Sequence, residues 1–232
     1  MFKVNIFLEN LNHKNRFQED NRMTLADSKT KENLMKAFAG ESQARNRYTF
    51  AAELAQQNGL YVIQKVFDLT AYQEQHHAEV FYNYLSQLDG QEISVAKADY
   101  PVNTAKSVEQ QLMNAMNNEQ READEVYRNF GDIALEEGFQ QISGKFYMIA
   151  DVERLHQQRF EKFYQWMKEG KLFVSDVKTG WMCLNCGYVV EATNAPQNCP
   201  ACDAEQGYFV RMSMAPYTDP EMGGNKNRDL GK

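Results

Sequence analysis

Two segments, Tyr72-Gln73-Glu74-Gln75-His76-His77-Ala78 and Asp151-Val152-Glu153-Arg154-Leu155-His156-Gln157, repeat one spacing: a glutamate followed three residues later by a histidine. Each segment lies inside a run of helical periodicity. Three residues make about one helical turn, so Glu74 shares a face with His77, and Glu153 with His156. A carboxylate and an imidazole aimed at one point are hard and borderline metal ligands. Two such pairs on two helices supply half of a dinuclear carboxylate site in a helix bundle. The other half is one glutamate from each of two further helices.

Working outward, the seam around Glu74 reads Ile63, Phe67, Thr70, Glu74, His77, Phe81, Tyr84, Leu88. Its steps alternate between four and three, the spacing of packed helices, and predict a helix over about 60–88. The seam around Glu153 reads Ile142, Phe146, Ile149, Glu153, His156, Phe160, Phe163, Met167, and predicts a helix over about 135–168 closed by Gly170. Gly138 and Gly144 lower the propensity of its first turns. Upstream, Leu34, Phe38, Ala44, Tyr48, Ala52 and Ala55 mark a helix over about 28–57. Ser28 or Thr30 caps its start and Asn58-Gly59 its end. Glu41 falls on that stripe where a hydrophobe is due. A further helix over about 105–130 carries Val108, Leu112, Ala115, Glu119, Glu122, Val126 and Phe130, with Gly131 closing or breaking it. The connection over 91–104, with Pro101, is long enough to cross a bundle end.

Each seam is therefore interrupted near its middle, and the inward-facing set is Glu41, Glu74, His77, Glu119, Glu122, Glu153 and His156. A buried, unpaired carboxylate costs several kcal/mol, and Arg45 is the only base near a seam position. A lone Glu-x-x-His is usually a solvated pair, but four seams broken at matching depth are not a chance pattern. His76 points about 100° away from His77, toward the surface. His13 carries no signal. A carboxylate-rich site with one histidine per metal suits iron or manganese. Glu122, one turn after Glu119, is an extra carboxylate that can bind in one metal state and release in another, which points to a site that changes oxidation state.

Cys183-x-x-Cys186 and Cys199-x-x-Cys202 have the spacing of a tetrahedral tetrathiolate site. Spacing alone leaves a structural zinc ribbon and an iron site about even. The turns Cys186-Gly187-Tyr188 and Cys199-Pro200, beside a redox-capable centre, tilt the choice toward iron. Residues 179–211 are too few to build their own core without such a staple. The chain of 232 residues divides into an N-terminal extension over 1–27, read as disordered, a bundle over 28–170, a linker over 171–178, the cysteine domain over 179–211 and a tail over 212–232. A net charge of -7 argues against a nucleic-acid surface. No apolar run approaches a membrane span. Met1 to Leu8 read as a poor signal peptide, and paired cysteines without an export signal place the chain in a reducing cytoplasm.

The string Ala39-Gly40-Glu41-Ser42-Gln43-Ala44-Arg45-Asn46-Arg47-Tyr48, and the order Glu41, Glu74-x-x-His77, Glu119-x-x-Glu122, Glu153-x-x-His156 and two CxxC pairs, resemble the rubrerythrins. The resemblance runs from about residue 30 to 210. It implies a mainly α protein: a ferritin-like four-helix bundle followed by a small rubredoxin-like domain with short β-strands. It implies two non-haem iron ions bridged by Glu74 and Glu153. Glu41 would be terminal on the first, and Glu119 with His156 on the second. His77 and Glu122 would exchange on the first iron with oxidation state. Tyr48 and Tyr127 fall where the family has tyrosines near the site, and the cysteines would hold one further iron. The implied activity is reduction of hydrogen peroxide to water, with electrons from NAD(P)H through a separate donor protein. The implied assembly is a homodimer or higher homo-oligomer, with no nucleic-acid or membrane partner. The rival readings are an iron-oxidising, iron-handling bundle and a metal-buffering bundle with a structural zinc ribbon.

Overall fold

The chain lays down helices α1 (Lys29–Gln57), α2 (Tyr61–Tyr84), α3 (Val108–Arg121), α4 (Tyr127–Glu136) and α5 (Gln140–Lys168), then strands β1 (Val174–Cys183), β2 (Val189–Asn194) and β3 (Phe209–Arg211). The computed structural model describes residues 23–217. α3 and α4 are two parts of one rod, joined by a π-helical turn over Glu122–Val126, so four rods form the bundle. α1 starts where Ser28 Oγ accepts from the Lys31 amide at 3.1 Å. The Glu137 carboxylate, from the far end of α4, accepts from the Lys29 and Thr30 amides at 2.9 and 2.8 Å. These bonds satisfy amides that the first turn cannot pair internally, and place negative charge at the positive end of the helix dipole.

Two apolar clusters fill the bundle on either side of a polar layer. One holds Tyr48, Phe67, Leu112, Phe160 and Phe163; the other holds Leu34, Phe81, Tyr127, Phe146 and Ile149. Burying each such side chain contributes about 1.5–3 kcal/mol, so the clusters supply the stability that a layer of buried charge removes.

The third rod departs from the sequence reading in an informative way. Its expected seam runs through Val126 and Phe130, with Gly131 closing or breaking it. Instead Ala123, Tyr127, Gly131 and Ala134 are buried and the rod continues to Glu136. The π turn inserts one extra residue per turn, which rotates every later side chain by one position. Gly131 stays helical because the ring of Tyr147 lies against it: a Cβ there would stand 3.1 Å from that ring. The true break is Gly138, with φ +87°, so the last rod begins at Gln140 rather than near residue 135.

The boundaries also shift. Of the extension expected over 1–27, residues 1–22 lie outside the described residues. Leu25–Asp27 form a 3-10 turn, anchored by the buried Leu25. Residues 174–178 of the expected linker belong to β1, which begins at Val174. Met212–Met214 form another 3-10 turn, with Met212 buried, and the rest of the expected tail, residues 218–232, lies outside the described residues. The sheet is antiparallel in the order β2-β1-β3. Its domain docks on the end of the bundle. Tyr61 and Tyr208 stack at 4.0 Å, and the Arg211 guanidinium sits 4.4 Å from the Trp166 ring and 5.2 Å from the Trp181 ring.

Candidate metal centres

Helical seams bring Glu41, Glu74, Glu119, Glu153 and His156 into one layer, each at most 1% exposed. Their ligand atoms fall into two overlapping groups. Glu41, Glu74, His77 and Glu153 form one; Glu74, Glu119, Glu153 and His156 form the other. Glu74 and Glu153 belong to both. His77 Nδ1 lies 3.0 Å from Glu74, 2.9 Å from Glu153 and 3.9 Å from Glu41. His156 Nδ1 lies 2.8 Å from Glu153, 3.0 Å from Glu74 and 3.7 Å from Glu119. The two rings lie nearly parallel, 5.6 Å apart.

These short distances are mostly not hydrogen bonds. Glu41 Oε2, Glu74 Oε1, Glu119 Oε2, both Glu153 oxygens and His156 Nδ1 are buried without a hydrogen-bond partner. Lone pairs gathered this way converge on shared points instead of on each other's protons. Such a layer is costly unless cations occupy those points. Oxygen-rich groups with one imidazole each fit iron or manganese.

The electrostatics agree. Burial, then the charges of Glu153 and Glu74, push Glu41 well above the usual carboxylate range. Burial, then Glu74, does the same to Glu119. Burial opposes the charge on Glu74 too, but the imidazoles of His156 and His77 beside it hold it at about 2. Burial disfavours both imidazolium ions. Even so, the facing carboxylates of Glu153 and Glu74 lift His77 to about 10, and those of Glu119, Glu153 and Glu74 lift His156 to about 12. Without metal, protons stand in for the missing cations.

Glu122 joins neither ligand group. The π turn that buries Ala123 and Tyr127 leaves it half-buried, in the wall of a cavity of about 710 Å³ beside Gly40, Tyr100 and Asn118. Burial and the charges of Glu153 and Glu74 raise it to about 8. Tyr48 donates to Glu119 and Tyr127 to Glu41. His76 is exposed, as its phase required, and faces Glu79 at 3.3 Å. Arg45 is exposed and takes no part in the layer. Sequence reasoning missed Gln73 and Arg159. Gln73 Oε1 stands 3.1 Å from His156 Nε2 and accepts from Arg159 Nη1 at 3.0 Å. The available signal was position: Gln73 adjoins Glu74, and Arg159 lies one turn beyond His156.

The four cysteine sulfurs lie within 4.8 Å of one another. The Cys183–Cys202 and Cys186–Cys199 separations are 3.9 and 3.7 Å. A tetrahedron with metal–sulfur bonds of about 2.3 Å requires about 3.8 Å. Burial pushes the Cys183 thiol up to about 12, whereas the Asn185 amide, donating to Cys202 Sγ at 3.4 Å, helps bring Cys202 down to about 6. The site is thus shaped for thiolates that metal binding completes.

Comparison with known proteins agrees with both sites. The family model described as rubrerythrin matches residues 32–164, and that of the rubrerythrin rubredoxin-like domain matches residues 181–210. Rubrerythrin-1 of Clostridium acetobutylicum is 40% identical over 191 residues, covering 82% of this chain and 97% of that protein. The rubrerythrin of Nitratidesulfovibrio vulgaris is 38% identical, covering 80% of this chain and 95% of that protein. Among solved structures, a mixed-valence nigerythrin superimposes with a TM-score of 0.53 at 27% identity, covering 82% of this chain and 92% of that one.

Proposed function

The chain belongs to the rubrerythrin family, with a di-iron carboxylate site in a ferritin-like bundle and a four-cysteine rubredoxin-like site, and on that premise we propose that it reduces hydrogen peroxide to water. The observation that carries this reading is the pairing of the two sites in one chain: a one-electron tetrathiolate centre joined to a two-metal centre fits stepwise reloading of a two-electron reductase. The reaction balances as H2O2 with two electrons and two protons giving two waters. When bound, a ferrous pair supplies those two electrons together, so the O–O bond is broken without a free radical fragment.

The residues have distinct tasks. Glu74 and Glu153, common to both ligand groups, would be shared between the two metals. Glu41 and His77 complete one half of the site, Glu119 and His156 the other. Glu122 stands at the cavity wall, from which it would be the carboxylate available to replace His77 as a ligand. Raised to about 8, its carboxyl carries a proton at neutral pH and can hand it to an oxygen entering from the cavity. The phenols of Tyr127 and Tyr48, pushed well above 10 by burial and neighbouring charge, keep their protons and fix the orientation of Glu41 and Glu119. The apolar clusters on both sides keep bulk water from the layer.

Cys183, Cys186, Cys199 and Cys202 would hold the relay iron, for which a separate NAD(P)H-linked protein would be the electron donor. The chain works as a homodimer or higher homo-oligomer in the cytoplasm, with the functional division at residues 28–170 and 179–211. No helix among the described residues is long and apolar enough to cross a membrane.

The test is anaerobic. The protein is fully reduced, mixed with a small excess of hydrogen peroxide, and followed at the visible band of the tetrathiolate iron. Fast return of the band, much slower with oxygen, is the expected result. Return with oxygen alone would favour iron oxidation, and a site without any band would mean zinc or no metal there and refute the relay.

A further inference from the structure

We infer that Gln73 and Arg159 are a positioning pair that locks the His156 ring with Nδ1 turned into the carboxylate layer. The inference rests on the metal-binding reading above. It concerns how the two halves differ, not whether they bind.

Gln73 precedes Glu74 on α2, and Arg159 follows His156 by one turn of α5, so the pair bridges the two helices that carry the Glu-x-x-His motifs. One oxygen, Gln73 Oε1, faces both His156 Nε2 at 3.1 Å and Arg159 Nη1 at 3.0 Å. A guanidinium has donors and no acceptor. The atom beside it must therefore be the amide oxygen, not the amide nitrogen. That oxygen has no proton to give, so the ring nitrogen facing it must carry one. With Nε2 protonated, a neutral imidazole keeps its lone pair on Nδ1. Nδ1 is the atom that stands among Glu74, Glu119 and Glu153. Arg159 is itself held, since Nη1 also donates to Thr70 Oγ1 at 3.0 Å, and the Thr70 hydroxyl donates to the Val66 carbonyl at 2.9 Å. The chain of bonds runs from backbone to imidazole, with each amide and proton orientation determined by the one before it.

His77 has no such support. Its contacts all run through Nδ1, to Glu41, Glu74 and Glu153, and among the described residues its Nε2 makes no hydrogen bond. Its side chain is 12% exposed, against 1% for His156. One imidazole is thus fixed in tautomer and rotamer from its outer nitrogen, whereas the other is held only from the carboxylate side. Outer partners of this kind typically alter metal affinity about 10–100-fold.

The experiment is a cobalt(II) titration of the metal-free full chain, with thiolate-bound cobalt counted separately by its charge-transfer absorption. His156→Ala and His77→Ala identify which binding step belongs to which half. Gln73→Leu is expected to weaken, about 10–100-fold, the step that His156→Ala removes, and to leave the other step unchanged. Gln73→Glu, which keeps an acceptor oxygen, is expected to restore it. Arg159→Met, which frees the Gln73 amide to flip, is expected to shift the same step by less. Equal weakening of both steps, or of neither, in Gln73→Leu overturns the positioning role. Failure of the unmutated chain to load the bundle at all overturns the metal-binding reading along with it.

Discussion

Loading the bundle with two divalent cations at pH 7 should expel about two protons or more, because protons balance charge in the metal-free layer. Glu41 and Glu119 are pushed well above the usual carboxylate range, so both add to the protons that metal displaces. His77 and His156, lifted to about 10 and about 12, are both charged. Two divalent ions and the four carboxylates Glu41, Glu74, Glu119 and Glu153 balance in charge once those protons have gone. Displacing the two imidazolium protons at pH 7 opposes binding by roughly 11 kcal/mol, at about 1.36 kcal/mol per pKa unit. The overall binding constant should therefore fall by about two decades or more for each pH unit below neutrality.

Calorimetric titration in buffers of different ionisation enthalpy measures the count, with the thiolates filled beforehand by one equivalent of zinc. Release of fewer than about two protons would mean that the layer is not proton-neutralised and would refute the reasoning. The same experiment tests Glu122, which at about 8 keeps its proton unless it becomes a ligand. If it ligates a divalent ion, the unmutated chain should release about one proton more than Glu122→Gln. If it stays on the cavity wall in that state, the two counts should agree.

Metal-free protein should lose thermal stability between pH 6 and about 9, while the loaded protein stays nearly flat, as scanning calorimetry would show. The sign follows from the raised groups. The stability from His77 and His156 is complete below about 6.5 and is lost as pH rises toward about 10 and about 12, and Glu122 adds a loss between 4.5 and about 8. Glu74, held at about 2, acts at the other end: its stabilisation is present above 4.5 and lost as pH falls through about 2. Gly207→Ala should loosen the cysteine domain from the bundle by about 1–3 kcal/mol in denaturant unfolding, since a Cβ there would stand 1.8 Å from the Gly59 carbonyl oxygen. Gly144→Ala, with nothing within 4 Å, should instead stabilise α5 by about 0.5–1 kcal/mol. Tyr127→Phe removes the hydroxyl that donates to Glu41, and should slow peroxide-driven reoxidation in stopped-flow while leaving the tetrathiolate band unchanged.

The helices and their broken seams were legible because burial and periodicity are the same fact read twice. A carboxylate where a hydrophobe is due can be seen from sequence, and Glu41, Glu74, Glu119, Glu153 and His156 do meet in one buried layer. The cysteine pairs were legible for a similar reason, as two short local spacings that set four sulfurs about one tetrahedral edge apart. What escaped was anything that depends on phase after an irregularity. A constant 100° step puts Glu122 beside Glu119 and makes Val126 and Phe130 the seam. The π turn adds a residue, buries Ala123 and Tyr127 instead, and sends Glu122 toward the cavity. Nothing in the composition of Glu122–Val126 announces that turn. Charge compensation escaped for a different reason. Arg45 was the base nearest a seam in sequence, but it points outward, whereas Arg159 reaches the layer across the α2–α5 seam through Thr70 and Gln73. A seam pattern states which face of a helix is inward. It does not state which long side chain at the edge of that face bends over the neighbouring helix, and here those edge residues decide how the two halves of the site differ.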